Sequence, residues 1–231
     1  MGHSRRACYH EAVGRQNNPL NQCCKPTGWL GRLTLWRMNL SHSRLTDWGL
    51  SYASVKDRNA ILDVGCGGGK TIDKLAAMAP QARVYGVDHS EESVAAAKRT
   101  NARWIDTGRV EIQLGSVSHL PFADNMFDLV TGVETHFWWP DLRNDMREIY
   151  RVTKPGGTLI LIAEVYKGAN TMAAKVLEQR ASQTGMTLLS VDEHAELLVS
   201  AGYSEVQIVN RNDGWICATG VKPMVDPWQR A

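Results

Sequence analysis

A glycine-rich turn between a short apolar run and a helical pattern constrains this chain more than any other feature. Residues 60–71 read Ala-Ile-Leu-Asp-Val-Gly-Cys-Gly-Gly-Gly-Lys-Thr. The apolar run from Ile61 to Val64 predicts a buried strand, and the helical pattern begins near Lys70. Glycine tolerates positive φ and lets a ligand lie directly against the backbone. Because the following helix N-terminus presents unpaired N–H groups and a positive dipole end, the unit suits a ligand that carries a carboxylate or another anion.

The spacing of the glycines excludes two nucleotide-binding motifs. A P-loop needs a glycine where Val64 stands, five positions before Gly69-Lys70-Thr71. The dinucleotide fingerprint needs a third glycine where Lys70 stands. An ordinary structural turn remains an alternative to a ligand loop. What is left is the pattern Asp63-x-Gly65-x-Gly67-x-Gly69.

A second signal follows about twenty residues later in the chain. Residues 83–88, Arg-Val-Tyr-Gly-Val-Asp, predict another strand, which ends in the carboxylate of Asp88. In a doubly wound sheet an acidic residue at this place accepts ribose hydroxyls, and a carboxylate offers about four lone-pair sites for them. The alternative is that Asp88 caps the helix that begins with Ser90-Glu91-Glu92.

These two segments resemble motif I and the following strand of the class I S-adenosylmethionine-dependent methyltransferases. The resemblance continues through residues 120–128 (Leu-Pro-Phe-Ala-Asp-Asn-Met-Phe-Asp) and 151–157 (Arg-Val-Thr-Lys-Pro-Gly-Gly), and it covers about residues 58–222. Within this family, the chain is similar to the broad small-molecule group that includes quinone-biosynthesis methyltransferases, the methyltransferase type 11 group. It implies S-adenosyl-L-methionine as cofactor and methyl transfer to a small-molecule acceptor by in-line displacement. Two alternatives are a catalytically silent homologue that binds the cofactor as a partner or sensor protein, and an oxidoreductase, which Lys70 disfavours.

Composition narrows the class of protein and its partners. The 231 residues suffice for one domain with a substantial core, and 43% hydrophobic with 22% charged content is typical of a globular protein. A net charge of +2 is too small to indicate nucleic acid or a membrane surface as partner. The five cysteines show no Cys-x-x-Cys spacing, so we expect reduced thiols, no metal site and a cytoplasmic protein.

The segment before the glycine-rich turn divides into two parts. Residues 1–28 are polar and basic and predict a surface arm. From there Trp29, Leu33, Trp36 and Leu40 recur on one face of a helix, and we expect residues 29–58 to form a helical lid over the cofactor cleft. The alternative is that this face only packs on the outside of the sheet. The methyltransferase domain is predicted over residues 59–222, with a tail over 223–231.

Strand and helix patterns alternate through the body of the chain, which predicts an α/β protein with a doubly wound, Rossmann-like, mostly parallel seven-stranded sheet and an antiparallel last strand. Ligands should bind at the carboxyl ends of the strands. The predicted strands are 60–64, 83–88, 109–114, 127–133, 157–165, 205–210 and 214–221. The predicted helices are 69–79, 91–104, 141–152 and 170–183. A further helix is predicted to begin at Ser190, which has capping-box spacing to Glu193, and to end at Gly202.

Cofactor contacts are expected at four strand ends. Family members commonly have Gly-Asp after the third strand, where this chain has Gly115-Ser116, so the adenine contact falls to a hydroxyl without charge. The resemblance implies these cofactor-binding residues: Asp63, Gly65, Cys66, Gly67, Gly69, Asp88, His89, Ser116, Val117 and Glu134.

Residues 134–140, Glu-Thr-His-Phe-Trp-Trp-Pro, follow the fourth strand and face the sulfonium in this architecture. Glu134 contacts the methionine end of the cofactor or polarises His136, and His136 or His42 serves as a base, since a histidine titrates near neutrality. Trp36, His42, Phe137 and Trp138 are the predicted substrate contacts. A loop histidine satisfied by backbone and tryptophans that pack in the core are the alternatives. His119 and His194 are predicted to lie on the surface, and the protein is expected to be a monomer or homodimer.

Overall fold

The structure is a computed structural model that describes residues 43–55 and 60–224. The predicted arm, most of the tail, and the predicted lid residues 29–42, which include Trp36 and His42, lie outside the described residues. The lid and its two substrate contacts therefore stay predictions.

Seven strands and seven α-helices are formed by the described residues. The strands are β1 (Ala60–Val64), β2 (Arg83–Asp88), β3 (Val110–Leu114), β4 (Phe127–Val133), β5 (Thr153–Ala163), β6 (Ser204–Asn210) and β7 (Ile216–Val221). The helices are α1 (Ser43–Leu50), α2 (Lys70–Met78), α3 (Glu91–Thr100), α4 (Ala102–Asp106), α5 (Leu142–Val152), α6 (Met172–Thr184) and α7 (Val191–Ser200), and a 3-10 turn spans His136–Trp138.

The seven strands form one sheet in the order β3-β2-β1-β4-β5-β7-β6. β1 pairs in parallel with β2 and β4, with Ile61 opposite Val84 on one side and Leu129 on the other. β7 runs antiparallel to both β5 and β6. The predicted doubly wound sheet with an antiparallel last strand is therefore confirmed.

Helices cover both faces of the sheet, because successive side chains of each strand point to opposite sides. Ile61 belongs to the core shared with α1, α2 and α3, and Leu62 to the core shared with α5 and α7. The capping box predicted at Ser190 is present, with Ser190 and Glu193 each accepting from the other's backbone N–H group.

The helix predicted over 91–104 is interrupted at Asn101. The buried Asn101 side chain donates to the carbonyl oxygen of Ala97 at 2.9 Å and to that of Gly69 at 2.9 Å. An asparagine that bonds the backbone in this way competes with helix continuation. The same side chain ties α3 to the glycine-rich turn.

β5 begins four residues earlier than predicted, at Thr153. Phe127 pairs with Thr153 and Leu129 pairs with Thr158, so the Pro155-Gly156-Gly157 sequence is a bulge within the strand. Gly156 takes a φ of 76°, which explains why glycine stands there.

Helix α1, the described part of the predicted lid, packs into the core. Leu45 and Leu50 are each 1% exposed. A Cβ at Gly49 would lie 2.4 Å from Ile162 Cδ1, so the helix backbone touches β5 directly. Residues 43–50 thus pack on the sheet face, the alternative considered for this segment. No helix in the described ranges is long and apolar enough to cross a membrane.

Candidate functional site

The candidate site lies at the switch point of the sheet, where the strand order reverses. β1 is flanked by β2, which follows it in the chain, and by β4, which returns from the other edge. The loops after two such strands leave in opposite directions and open a crevice at their carboxyl ends. Since β1 to β4 are all parallel, the predicted cofactor residues at their four ends come to the same edge.

The glycine-rich turn runs through this crevice in a conformation that favours glycine. Gly65, Gly67 and Gly69 have φ values of 71°, 50° and 79°. A Cβ at Gly65 would lie 2.0 Å from Thr135 Oγ1, so the turn touches the loop after β4. Cys66 is buried, which raises the pKa of its thiol. α2 begins at the end of this turn without a side-chain cap, with its first N–H groups directed at the crevice edge.

Asp88 links the end of β2 to the glycine-rich turn. Its Oδ2 accepts from the Gly67 N–H group at 2.9 Å, and its Oδ1 accepts from the Ser90 N–H group at 2.9 Å. A carboxylate has about four lone-pair sites, so two bonds leave it able to accept two more. Asp88 therefore holds the loop and fits the predicted ribose contact. His89 beside it is exposed.

Asp63 is a buried acid beneath the turn. Burial raises the pKa of Asp63 to about 7; the hydrogen bond from Thr131 opposes this rise, and the nearby Asp88 adds to it. Thr131 Oγ1 donates to Asp63 Oδ1 at 2.7 Å. Two acids therefore border the crevice, and the raised pKa keeps Asp63 partly protonated near pH 7.

The raised pKa of Asp63 predicts a pH dependence of stability in the protein without cofactor. Between its ordinary value of 3.8 and about 7, the folded state keeps a proton that the unfolded state has lost. Stability therefore falls as pH rises through this window, by up to about 1.4 kcal/mol per pH unit. Asp63→Asn, which stays neutral, should remove this component. Urea unfolding of both proteins between pH 4.5 and 7.5 checks this, and two parallel curves would contradict it.

The loop after β3 brings Ser116 and Val117 to the same edge. Ser116 is exposed and its Oγ accepts from the Ser118 N–H group at 3.2 Å. Ser118 Oγ donates to Asp145 Oδ1 at 2.6 Å, a contact to α5 that the sequence analysis did not find. Burial raises the pKa of Asp145, although the Ser118 bond opposes it. This contact anchors the loop in which the adenine contact is predicted.

Glu134 follows the last residue of β4 and has an unusual backbone conformation. Its φ is 57°, a region that residues other than glycine rarely adopt. Its side chain accepts a hydrogen bond from the Glu164 N–H group, so it joins the ends of β4 and β5. Such strain persists only where surrounding contacts hold it, and it occurs often at functional sites.

His136 lies in the 3-10 turn after β4 and is only 2% exposed. Burial and the neighbouring His194 hold the pKa of His136 well below its ordinary value. Phe137 is buried beside it, with ring centroids 5.3 Å apart, and Trp138 is half-buried. His136 is thus a neutral imidazole close to the loop that Gly65 touches.

The surface position predicted for His194 is wrong, because His194 is 1% exposed and contacts His136. The missed signal was helical spacing: Val191, His194, Ala195 and Leu198 share one face of α7. The surface position predicted for His119 is confirmed, as this residue is exposed. Within the described residues no group of three or more His, Cys, Asp or Glu side chains could hold a metal ion.

The fold and site define an α/β protein with a crevice at the switch point of its sheet. A family model described as a methyltransferase domain matches residues 62–161. The methyltransferase GfsG of Streptomyces halstedii is 31% identical over 170 residues, 72% of this chain and 60% of the relative. The demethylmenaquinone methyltransferase of Symbiobacterium thermophilum is 40% identical over 103 residues, 44% of this chain and 41% of the relative.

Solved structures that share this fold include methyltransferases. The crystal structure of a SAM-dependent methyltransferase from Aquifex aeolicus aligns with a TM-score of 0.67 at 20% identity, covering 81% of this chain and 96% of that one. Residues 62–161 therefore belong to a methyltransferase domain of the class I S-adenosylmethionine-dependent type. The matches span about half the length of the first curated relatives, between 41% and 60%.

Proposed function

We propose that this chain binds S-adenosylmethionine in the crevice and transfers its methyl group to a small-molecule acceptor. The observation that carries the proposal is the hydrogen bond from the Gly67 N–H group to the Asp88 carboxylate. It places the glycine-rich turn, against which a ligand can lie, beside a carboxylate that can accept further hydrogen bonds. Curated relatives named as methyltransferases support the same reaction, among them an O-methyltransferase of Penicillium expansum and demethylmenaquinone methyltransferases.

The charge of the crevice suits this cofactor. S-adenosylmethionine carries a sulfonium, an ammonium and a carboxylate, so its net charge is positive. Asp63 and Asp88 lie on the cofactor side, and the uncapped N-terminus of α2 can take the carboxylate. Cofactor binding near Asp63 should favour its ionised form, because an opposite charge lowers the pKa of an acid.

Methyl transfer is an in-line displacement whose transition state spreads positive charge over donor and acceptor. The protein needs to hold the acceptor near attack distance, exclude water and take a proton where the acceptor loses one. Phe137 and Trp138 supply aromatic rings at the end of β4, where a ring face attracts a cationic methyl by about 1 kcal/mol. His136 is the base in this proposal, with His42 as the other candidate and Glu134 on the methionine end of the cofactor.

Titration calorimetry with S-adenosylmethionine tests the cofactor half of the proposal, and we expect saturable binding at one site. Labelled methyl transfer to hydroquinones and phenols then tests the reaction, with 1,4-naphthohydroquinone as the first acceptor because of the demethylmenaquinone relatives. An absence of cofactor binding would refute the proposal. Binding with no transfer to any acceptor in a cell extract would favour the silent homologue instead.

We further propose that residues 29–42 cover the acceptor. Deleting residues 1–42 should reduce turnover far more than cofactor affinity, because a lid excludes water and completes the pocket. The deletion stops before α1, whose Leu45 and Leu50 belong to the core. Circular dichroism and calorimetry serve as controls for folding and cofactor binding. Full turnover in the shortened protein would refute the lid, and His42→Gln in the full chain tests whether His42 contributes a base.

A further inference from the structure

Two buried histidines from distant parts of the chain meet behind the loop after β4. The Nε2 atoms of His136 and His194 lie 3.1 Å apart, and their rings meet edge to face with centroids 5.1 Å apart. His194 Nδ1 lies 2.7 Å from the carbonyl oxygen of Ser190, one turn earlier in α7. A chain of hydrogen bonds therefore runs from a backbone carbonyl through His194 to His136.

The hydrogen-bond partners determine where each hydrogen sits. A carbonyl oxygen can only accept, so His194 carries its hydrogen on Nδ1 and presents the Nε2 lone pair. His136 must then carry its hydrogen on Nε2 and donate it to His194. The Nδ1 lone pair of His136 is left, and this buried atom has no hydrogen-bond partner in the described part of the chain.

An unpaired buried nitrogen is costly, by about 1–3 kcal/mol, and its presence calls for an explanation. Here the explanation is its position. Thr135, which precedes His136, lies against the glycine-rich turn, since a Cβ at Gly65 would meet its Oγ1 at 2.0 Å. The unpaired nitrogen thus belongs to a turn that borders the cofactor loop.

We propose that His194 is a positioning residue for methyl transfer: it holds His136 in the Nε2–H form, so that Nδ1 accepts the proton that the acceptor loses. This inference rests on the proposed function. It makes His136 a base with one defined lone pair rather than an imidazole free to present either nitrogen. It also assigns a role to α7, which contributes no residue to the cofactor crevice.

The proton and electron balance of the step is complete within the pair. As the acceptor forms its bond to the methyl group, the bond from the methyl carbon to sulfur breaks and its electron pair stays on sulfur. The acceptor's proton goes to His136 Nδ1, and the Nε2 hydrogen of His136 passes to Nε2 of His194. His194 then holds the positive charge, with its Nδ1–H still on Ser190.

The charged surroundings favour His194 over His136 as the place for that charge. Burial lowers the pKa of His194, although the hydrogen bond to the Ser190 carbonyl and the charge of the neighbouring Glu193 oppose this. Glu193 pairs with Lys167 at 2.8 Å. Burial and the neighbouring His194 hold the pKa of His136 well below its ordinary value. Both histidines are therefore neutral at pH 7 before the reaction.

Nitrogen-15 NMR of the full chain at pH 7.5 tests the arrangement without any acceptor. Two-bond proton–nitrogen correlations should show the Nε2–H form for His136 and the Nδ1–H form for His194. The opposite assignment for either ring, or a charged His136, would overturn the positioning role while leaving methyl transfer itself untouched.

Two substitutions then test the link to catalysis, with S-adenosylmethionine and 1,4-naphthohydroquinone or the acceptor found in the extract. His194→Phe keeps a ring but removes the nitrogen that accepts from His136, so kcat should fall about tenfold or more, with KM and cofactor affinity within about twofold. His194→Gln offers an amide oxygen to the same hydrogen and so keeps the Nε2–H form of His136, but it cannot take up the hydrogen, so its kcat should lie between those of His194→Phe and wild type. Because burial and His194 lower the pKa of His136, the acid limb of kcat should lie at a lower pH than an ordinary histidine gives, and it should move in His194→Phe.

Three results would overturn the proposal. Equal kcat in His194→Phe and wild type would remove the positioning role. Full activity in His136→Gln, with an acceptor that loses a proton, would remove the base and leave methyl transfer standing. A wild-type protein that transfers no methyl group would overturn the proposed function itself and this role with it. If His194→Phe does not fold, the NMR assignment and the His194→Gln rate decide.

Discussion

Asp88→Ala should weaken S-adenosylmethionine binding by at least tenfold. The carboxylate is proposed to accept two ribose hydroxyls, and hydrogen bonds to a charged group contribute about 1.5–3 kcal/mol each. It also accepts from the Gly67 and Ser90 N–H groups, so its loss loosens the turn that the cofactor lies on. Titration calorimetry measures the change in Kd.

Two variants separate the reasons for that loss. Asp88→Asn keeps an oxygen for one of the backbone bonds but removes the charge, so its affinity should fall between wild type and Asp88→Ala. Asp106→Ala removes a carboxylate from the exposed end of α4 and should leave Kd unchanged. A Kd for Asp88→Ala within twofold of wild type would refute the assignment of Asp88 as the ribose acid.

Gly67→Val should reduce cofactor binding below detection. Gly67 has a φ of 50°, which a β-branched residue resists, and its N–H group anchors the turn to Asp88. If the cofactor lies against this backbone, the valine side chain also occupies ligand space. Calorimetry reports the loss, and circular dichroism should stay close to wild type because Gly67 lies in a half-buried turn outside the strands and helices.

Gly108→Val is the matched control for backbone strain. Gly108 also has a positive φ, 71°, but a Cβ there would have nothing within 4 Å. Both variants should lose stability, on the order of 1–3 kcal/mol for a forced backbone conformation. Only Gly67→Val should lose affinity. Equal affinity in the two variants would mean that the glycines serve the turn alone.

Much of this protein was predictable from local sequence. Buried strands, helix caps and glycines at positive φ are set by residues within a few positions of one another, so the strand–turn–helix unit at residues 60–71 and the capping box at Ser190 were found. The doubly wound, mostly parallel sheet was predicted from the alternation of strands and helices, whereas the strand order came from the structure. The position of Asp88 at the crevice was predictable too, because the carboxyl ends of parallel strands meet at one edge of the sheet.

Contacts between distant residues were decided by the tertiary structure alone. Local patterns do not specify that Asn101 bonds Gly69 and ends α3 early, or that Ser118 bonds Asp145. The two histidines that meet at 3.1 Å are 58 residues apart, and one had been placed on the surface. Periodicity determines which face of an element is buried, whereas the partner that it meets there depends on how the whole chain packs. The charge states of Asp63 and His136 follow from that packing, because desolvation shifts a pKa only once the surrounding layers are in place.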